Sequence, residues 1–304
     1  MDSLKQNRLF TVGCSYTSYI WPGYSEFLGT NFDTLYNYGK AGAGNTYIFN
    51  TACRIFNRLK PTENDTVIVQ WSATSRFDRI PNHETGYLTP GSLDWQDEYS
   101  QQWVDKYFNV VEAAHELVNF VLSLKALSKQ YNCKFAMFSM FEPWIESFFG
   151  EPYDTRSWIK YKLYIDEFYP HAELKEAFVE TGVLRSLEQF CWDNPHPKPY
   201  YSFWKDGLQD ETHPSCTQHL KFAKHLSKVL KLEDKNLYSD KAVNLAQEYD
   251  NIFEDKNNTY EKLVNNNYFD DPHVGLQFNK KILEELFDYK IHNHGFVLEE
   301  EWKQ

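Results

Sequence analysis

The sequence predicts an α/β protein with a doubly wound, mostly parallel sheet flanked by helices. Two observations indicate this class. Short apolar, β-branched runs alternate along the chain with segments whose apolar residues recur at helical spacing. The clearest of these runs end in glycine or small polar residues, as buried strands often do where a sheet gives way to a ligand-binding edge. Each crossover between neighbouring parallel strands is expected to be right-handed.

The elements follow from these patterns in chain order. Strands are predicted at residues 8–13, 34–38, 65–71 and 134–141. Proline near a helix start, followed by apolar spacing, predicts a short helix after Pro22. Further helices are predicted at residues 45–59, 104–131, 217–230, 240–255 and 278–289.

The chain of 304 residues is long enough for one large domain or for a domain with an appendage. We expect an α/β domain over residues 1–231 and an appended C-terminal helical segment over 232–304. An insertion rich in tryptophan and tyrosine interrupts the first domain at about residues 142–205. Its aromatic side chains either pack on one another at the surface or form a lid or sugar-facing wall.

Composition limits the classes of partner. A formal charge of −12 disfavours general affinity for nucleic acid or for an anionic membrane. Residues 1–8 lack the features of a signal peptide, and no stretch has the apolar length of a membrane span, so we expect a soluble, cytoplasmic protein. Five scattered cysteines without a CxxC pair indicate reduced thiols and no metal site.

Ser15 directly follows the first predicted strand, in the run Gly-Cys-Ser-Tyr-Thr at residues 13–17. Ligand sites of open α/β sheets lie beyond the carboxyl ends of strands, where a serine is a nucleophile if a base reaches it. The alternative is a hydroxyl that only caps the following segment. Cys14 is the minor alternative nucleophile. Neighbouring side chains on a tight turn point in different directions, so the thiol of Cys14 should not share the position of the Ser15 hydroxyl.

A glycine-rich turn follows the second predicted strand and opens a helix. It has neither the lysine and hydroxyl residue of a P-loop nor the spacing of a dinucleotide fingerprint. The glycines at positions 39, 42 and 44 either satisfy backbone angles or turn N–H groups outward, where they stabilise a developing oxyanion.

Asp210 precedes His213 by three residues, and Pro214 and a predicted helix follow. This spacing lets the Asp210 carboxylate fold back to the ring N–H of His213, which fixes the imidazole tautomer. The same spacing recurs at Asp270 and His273, also before a predicted helix.

Together, residues 13–17, 37–45 and 210–214 resemble the three sequence blocks of the SGNH (GDSL-like) hydrolase superfamily, over roughly residues 8–231. The resemblance implies the flavodoxin-like SGNH hydrolase fold and a catalytic triad of Ser15, His213 and Asp210. It also implies an oxyanion hole that includes the backbone N–H groups of Ser15 and Gly42, with no cofactor and no metal.

One block departs from the family pattern. Where the family has Gly-x-Asn-Asp after the third strand, with the asparagine completing the oxyanion hole, this chain has Ser-Ala-Thr-Ser at residues 72–75. Removing one such donor costs about 3 kcal/mol in studied hydrolases. Thr74, Asn45 and Arg76 are the candidate replacements.

The resemblance implies acyl transfer. The leading hypothesis is a serine esterase that hydrolyses small acyl esters, such as acetyl esters of a carbohydrate, with transfer to an acceptor other than water as a variant. The alternative from another class is a non-catalytic glycan-binding or structural module on the same fold. The altered third block favours the module, whereas Ser15, Asp210 and His213 favour the enzyme.

Overall fold

A computed structural model describes residues 7–79, 101–140, 186–195, 200–204, 207–211, 213–232, 236–255 and 278–293, with positions 257–258, 262, 265–266 and 268. None of the helices described there has the length and apolar character needed to cross a membrane.

The strands form two sheets. The strands are β1 (Arg8–Gly13), β2 (Thr34–Gly39), β3 (Thr66–Trp71), β4 (Lys134–Ser139), β5 (Tyr200–Trp204), β6 (Gly207–Glu211) and β7 (Lys290–Asn293). Five of them form an all-parallel sheet in the order β4-β3-β1-β2-β7, and β5 and β6 pair as an antiparallel hairpin. The predicted α/β class with a parallel sheet is therefore confirmed.

The helices connect and flank these strands. The α-helices are α1 (Tyr24–Gly29), α2 (Asn45–Arg54), α3 (Gln101–Tyr107), α4 (Val110–Ser128), α5 (Leu187–Asp193), α6 (Cys216–Val229), α7 (Asp240–Glu254) and α8 (Lys280–Phe287). Helix α2 continues into a π-helical turn, Ile55–Leu59, which ends at Lys60 in the left-handed conformation.

The strand order determines where a site can form. The chain leaves β1 toward β2 on one side and then crosses to β3 on the other side. With right-handed crossovers, this reversal places α1 and α2 on opposite faces of the sheet. Helix α1 packs against α6, and α2 packs against α4. The carboxyl ends of β1 and β3 therefore border the crevice where ligands bind in such sheets.

Burial explains the apolar strand sequences. All six residues of β3 are buried, as are the last five of β1, because helices cover both faces of a parallel sheet. The predicted helix over 104–131 is instead two helices, α3 and α4. Asn109 interrupts it, since its Oδ1 accepts the N–H of Glu112 at 3.4 Å as an N-cap does.

The C-terminal segment is not only an appended helical extension, and that expectation is corrected. Residues Lys290–Asn293 form β7, which pairs in parallel with β2 and extends the main sheet. Tyr289, just before β7, donates its hydroxyl to the Glu26 carbonyl oxygen in α1 at 2.9 Å. The predicted helices over 240–255 and 278–289 are confirmed as α7 and α8. Most of the predicted insertion, residues 142–185 and 196–199, lies outside the described residues.

Candidate active site

The chain turns sharply as it leaves β1, and this turn carries Ser15. Thr17 and Ser18 donate their backbone N–H groups to the Cys14 carbonyl oxygen, at 2.9 and 3.2 Å. Ser15 therefore lies within a tight turn just beyond the carboxyl end of β1, with 5% of its surface exposed. This is the edge of the sheet at which the strand order reverses.

Gln70, near the end of β3, supports this turn. Its Oε1 accepts hydrogen bonds from the Cys14 N–H at 3.1 Å and from the Thr17 hydroxyl at 2.9 Å. Gly13 permits the close approach, since a Cβ atom there would lie 2.1 Å from Thr17 Oγ1 and 2.6 Å from Gln70 Oε1. The buried Cys14 thiol also contacts Gln70 Oε1, at 3.4 Å. The thiol is thus part of the support, unlike the hydroxyl of Ser15.

His213 lies opposite Ser15. Its Nε2 is 2.8 Å from Ser15 Oγ, a hydrogen-bond distance, which confirms the predicted meeting of these two residues. With the ring proton on Nδ1, Nε2 accepts the hydroxyl hydrogen, which is the arrangement of a general base and a serine nucleophile. His273, the histidine with the same spacing from an aspartate, lies outside the described residues.

The loop that carries His213 is anchored on both sides. Trp21 Nε1 donates to the Pro214 carbonyl oxygen at 3.0 Å. Ser215 caps α6 by accepting the Gln218 N–H at 3.2 Å, and the Gln218 side chain accepts the Ser215 N–H at 2.9 Å. This reciprocal capping box starts α6 immediately after His213.

Asp250 in α7 holds the same helix end. Its two carboxylate oxygens accept the backbone N–H groups of Cys216 at 2.8 Å and Thr217 at 3.2 Å. Asp250 is 4% exposed. A carboxylate at a helix N-terminus also interacts favourably with the helix dipole. A residue of the C-terminal segment therefore fixes the helix that follows His213.

Aromatic rings surround the imidazole of His213. Tyr19 stacks on one face, with ring centroids 3.9 Å apart and planes 11° from parallel. Tyr16 and Trp21 approach with their rings at steep angles, with centroids 5.1 and 6.5 Å away. Stacking and edge contacts restrict the ring plane, so they orient Nε2 toward Ser15.

A second histidine, His219, lies one turn into α6 and is almost wholly buried. Its Nδ1 has no hydrogen-bond partner in the part of the chain that the structure describes. Burial, together with the nearby His213, lowers the pKa of His219 to about 3. His219 is therefore neutral at ordinary pH.

The acid of the predicted triad is only partly described. Asp210 lies in β6, where it pairs in register with Tyr201 of β5. The side chain of Asp210 lies outside the described part of the structure, so its predicted hydrogen bond with His213 stays a prediction.

The glycine turn after β2 lies next to the nucleophile turn. Lys40 donates its N–H to the Gly13 carbonyl oxygen, and Ala43 donates to Lys40, both at 3.0 Å. Gly42 has a φ of 74°, a conformation that favours glycine. Among the described residues, no acceptor pairs with the backbone N–H of Gly42 or of Ser15. These two predicted oxyanion donors are thus unoccupied there.

A buried side-chain network joins the two turns. Asn37 in β2 donates through Nδ2 to the Thr17 carbonyl oxygen at 3.1 Å and to Glu26 Oε1 at 2.6 Å, while its Oδ1 accepts the Gly39 N–H at 2.8 Å. Glu26 is fully buried in α1. Burial raises the pKa of Glu26, an effect that its hydrogen bonds from Gly23, Ser25 and Asn37 oppose.

The end of β3 accounts for two of the candidate oxyanion residues. Asn45 accepts the Ser72 N–H at 2.8 Å, and its Nδ2 donates to the carbonyl oxygens of Ser72 at 3.1 Å and Ala73 at 3.5 Å. This amide is committed to the backbone, which argues against Asn45 as a side-chain donor. Thr74 is 6% exposed, and its hydroxyl has no partner among the described residues.

Asp78 links the segment after β3 to the glycine turn. Its carboxylate accepts the N–H groups of Gly44 at 2.8 Å and Tyr47 at 2.9 Å, so it caps α2 from outside the helix. Burial is the main cause that raises the pKa of Asp78. The glycine turn is therefore held at both ends.

Sequence reasoning missed several of these supports. Gln70 carries a detectable signal, because a polar residue in a buried apolar strand needs a hydrogen-bond partner. Asp250 and Tyr19 carry no such signal in the sequence. The partners of Asp250 are distant along the chain, and the contact of Tyr19 with His213 depends on ring orientation. Across the described residues, no three histidine, cysteine or acidic side chains converge as metal ligands.

Comparison with protein-family models, with curated proteins and with solved structures found no match to this chain. The site brings together a serine hydroxyl, an imidazole in contact with it and two N–H groups that have no acceptor among the described residues, an arrangement that acyl transfer uses.

Proposed function

We propose that this chain is a serine ester hydrolase of the SGNH type, with Ser15, His213 and Asp210 as its triad. The observation that carries the proposal is the 2.8 Å contact between Ser15 Oγ and His213 Nε2. The strand order β2-β1-β3-β4 within the sheet supports it, because flavodoxin-like sheets share that order and bind ligands at the ends of β1 and β3.

Acylation is the first half of the proposed reaction. Ser15 Oγ attacks the ester carbonyl carbon while His213 Nε2 takes the hydroxyl proton. The carbonyl oxygen becomes an oxyanion, which accepts hydrogen bonds from the N–H groups of Ser15 and Gly42. The intermediate then collapses, the carbon–oxygen bond to the alcohol breaks, and His213 returns the proton to the departing alcohol.

Deacylation repeats the sequence with water. His213 removes a proton from water, the resulting hydroxide attacks the acyl-enzyme carbonyl, and the proton returns to Ser15 as the acid departs. Asp210 holds the proton on His213 Nδ1 throughout, so that Nε2 remains free to accept. With an alcohol in place of water, the same steps amount to acyltransfer.

The proposed substrates are small acyl esters, such as acetyl esters of a carbohydrate. Tyr19 supports this choice, because its partly exposed ring stacks on His213 and sugar rings bind well against aromatic faces that carry a polar group. Ser15 is only 5% exposed, which favours a short acyl group over a long chain.

Hydrolysis of p-nitrophenyl acetate tests the proposal. We expect Ser15→Ala and His213→Ala each to lower kcat by ~1,000-fold or more, with little change in folding. Ser123→Ala, which removes an exposed hydroxyl from α4, is the matched control and should hydrolyse at the parental rate. Equal rates for Ser15→Ala and the parent would rule out this mechanism.

A second candidate function is a non-catalytic glycan-binding module. The Ser-Ala-Thr-Ser run after β3 favours it, since the family's asparagine donor is missing there. Absence of hydrolysis by a folded parent, combined with measurable binding of an acetylated oligosaccharide, would support the module.

A further inference from the structure

The guanidinium of Arg76 lies beside the candidate active site. Its Nη1 donates to the Ala43 carbonyl oxygen at 3.1 Å, and its Nη2 lies 3.9 Å from Met140 Sδ. The same sulfur lies 3.4 Å from Cys14 Sγ. One methionine side chain therefore separates Arg76 from the turn that carries Ser15.

Arg76 makes no direct ion pair in the described part of the chain. No carboxylate there lies within ion-pair distance of the guanidinium, and the buried Nε has no hydrogen-bond partner. Asp78 is close enough for the charge of Arg76 to lower its pKa, but the hydrogen bonds that Asp78 accepts there come from the N–H groups of Gly44 and Tyr47 and not from the guanidinium. Of the five N–H donors of this side chain, only one binds an oxygen atom among the described residues.

An unpaired, partly buried cation destabilises the empty protein, and an anionic ligand compensates it. Arg76 is partly exposed, so a ligand can reach it. Lys40, on the neighbouring turn, adds a second positive charge near Asp78. The chain as a whole carries −12, so this local cation, and not the overall field, must attract an anion.

We propose that Arg76 binds a carboxylate of the ester substrate, so that anionic esters are preferred over neutral ones. This inference rests on the proposed esterase function. A guanidinium matches the planar, two-oxygen geometry of a carboxylate. Because the Met140 side chain lies between Arg76 and Cys14, we expect the bound carboxylate to belong to a part of the substrate other than the carbonyl that Ser15 attacks.

Two pairs of esters that differ only in charge test the inference. On the acyl side the pair is p-nitrophenyl hemisuccinate and methyl p-nitrophenyl succinate. On the alcohol side it is 4-acetoxybenzoate and its methyl ester. Each is assayed with the parent, with Arg76→Met, with Arg76→Lys and with Arg58→Met, which removes an exposed arginine as the matched control.

In one of the two pairs, we expect the parent and Arg58→Met to prefer the anionic ester by ~10-fold or more in kcat/KM, mainly through KM. Arg76→Met should abolish that preference, and Arg76→Lys should retain part of it. No preference in either pair, or one that survives Arg76→Met, would overturn the inference. An equal loss of kcat on all four esters would also overturn it and assign Arg76 to the oxyanion instead.

A binding measurement separates this inference from the proposed function. Ligand-observed NMR with monomethyl succinate is recorded on Ser15→Ala and on the double variant that also carries Arg76→Met. Binding to the first and not to the second supports the carboxylate site, even if the parent hydrolyses no ester. Equal binding to both, or binding to neither, contradicts it.

Discussion

Ser15 and His213 are 198 residues apart in the sequence, yet their Oγ and Nε2 atoms lie 2.8 Å apart. Ser15 is fixed by the end of β1, and His213 by the start of α6. The contact therefore depends on supports that lie outside both residues. Gln70 and Asp250 are therefore expected to affect ester hydrolysis through the positions of Ser15 and His213.

Asp250 is expected to position His213 through α6. Asp250→Ala removes both acceptors from the N–H groups of Cys216 and Thr217, and loss of a helix cap costs about 1 kcal/mol. We expect a lower Tm and a lower rate on p-nitrophenyl acetate. Asn251→Ala, an exposed neighbour in α7, is the control. A parental rate in folded Asp250→Ala would show that α6 holds its place without this carboxylate.

Gln70 is expected to position Ser15. Gln70→Met keeps the side-chain length but removes the acceptor for the Cys14 N–H and the Thr17 hydroxyl. The Thr17 hydroxyl keeps its hydrogen bond with the Tyr24 hydroxyl, but the buried Cys14 N–H loses its acceptor. Leaving one buried donor unpaired costs about 1–3 kcal/mol, so urea unfolding should show a clear loss of stability, and kcat should fall with it. Gln130→Met, at an exposed position after α4, should change neither quantity. Unchanged stability in Gln70→Met would contradict the role of this amide.

Thr74 is, with Arg76, one of the two remaining side-chain candidates for a third oxyanion donor. If its hydroxyl serves, Thr74→Ala should lower kcat by roughly 10- to 1,000-fold while folding and probe binding persist. Thr74→Asn introduces the family's residue and tests whether a longer donor substitutes. Equal kcat values for the parent and both variants would refute the donor role.

His219 should make the protein sensitive to acid. Its folded pKa of about 3 lies below the ordinary value of 6.5, so the unfolded chain binds the extra proton and stability falls as pH drops below 6.5. Between pH 7 and 5 this group should cost the parent up to about 2 kcal/mol of unfolding free energy. His219→Leu should remove that share of the loss, as measured by urea unfolding at both pH values. Identical pH dependence in the two proteins would contradict it.

Local sequence patterns predicted several of the strands and helices that position the candidate active site. The apolar runs ending in small polar residues located β1 and β3, and apolar residues at helical spacing over 217–230 located the helix that follows His213. These signals are local because the periodic burial of one face acts on neighbouring residues. Pairing of Ser15 with His213 was predictable only through the resemblance to a known family, since spacing alone does not join residues so far apart.

Other parts of the structure leave little trace in the sequence. Strand β7 has one strongly apolar residue, Ile291, in its four positions, because it lies at the edge of the sheet. Asp250 resembles any acidic residue of a surface helix, although the fold buries it against the start of α6. The sequence predicts Asn45 as a candidate oxyanion donor, whereas its amide donates to the carbonyl oxygens of Ser72 and Ala73. Tertiary contacts decide such cases.

Covalent labelling of Ser15 tests the proposed hydrolase most directly. A fluorophosphonate reacts only with an activated serine, whose oxygen displaces fluoride and gains one phosphonyl group. Intact mass measurement should show a single addition on the parent and on Ser123→Ala, none on Ser15→Ala and much slower addition on His213→Ala. A folded parent that stays unlabelled, or Ser15→Ala labelled as fast as the parent, would contradict the account.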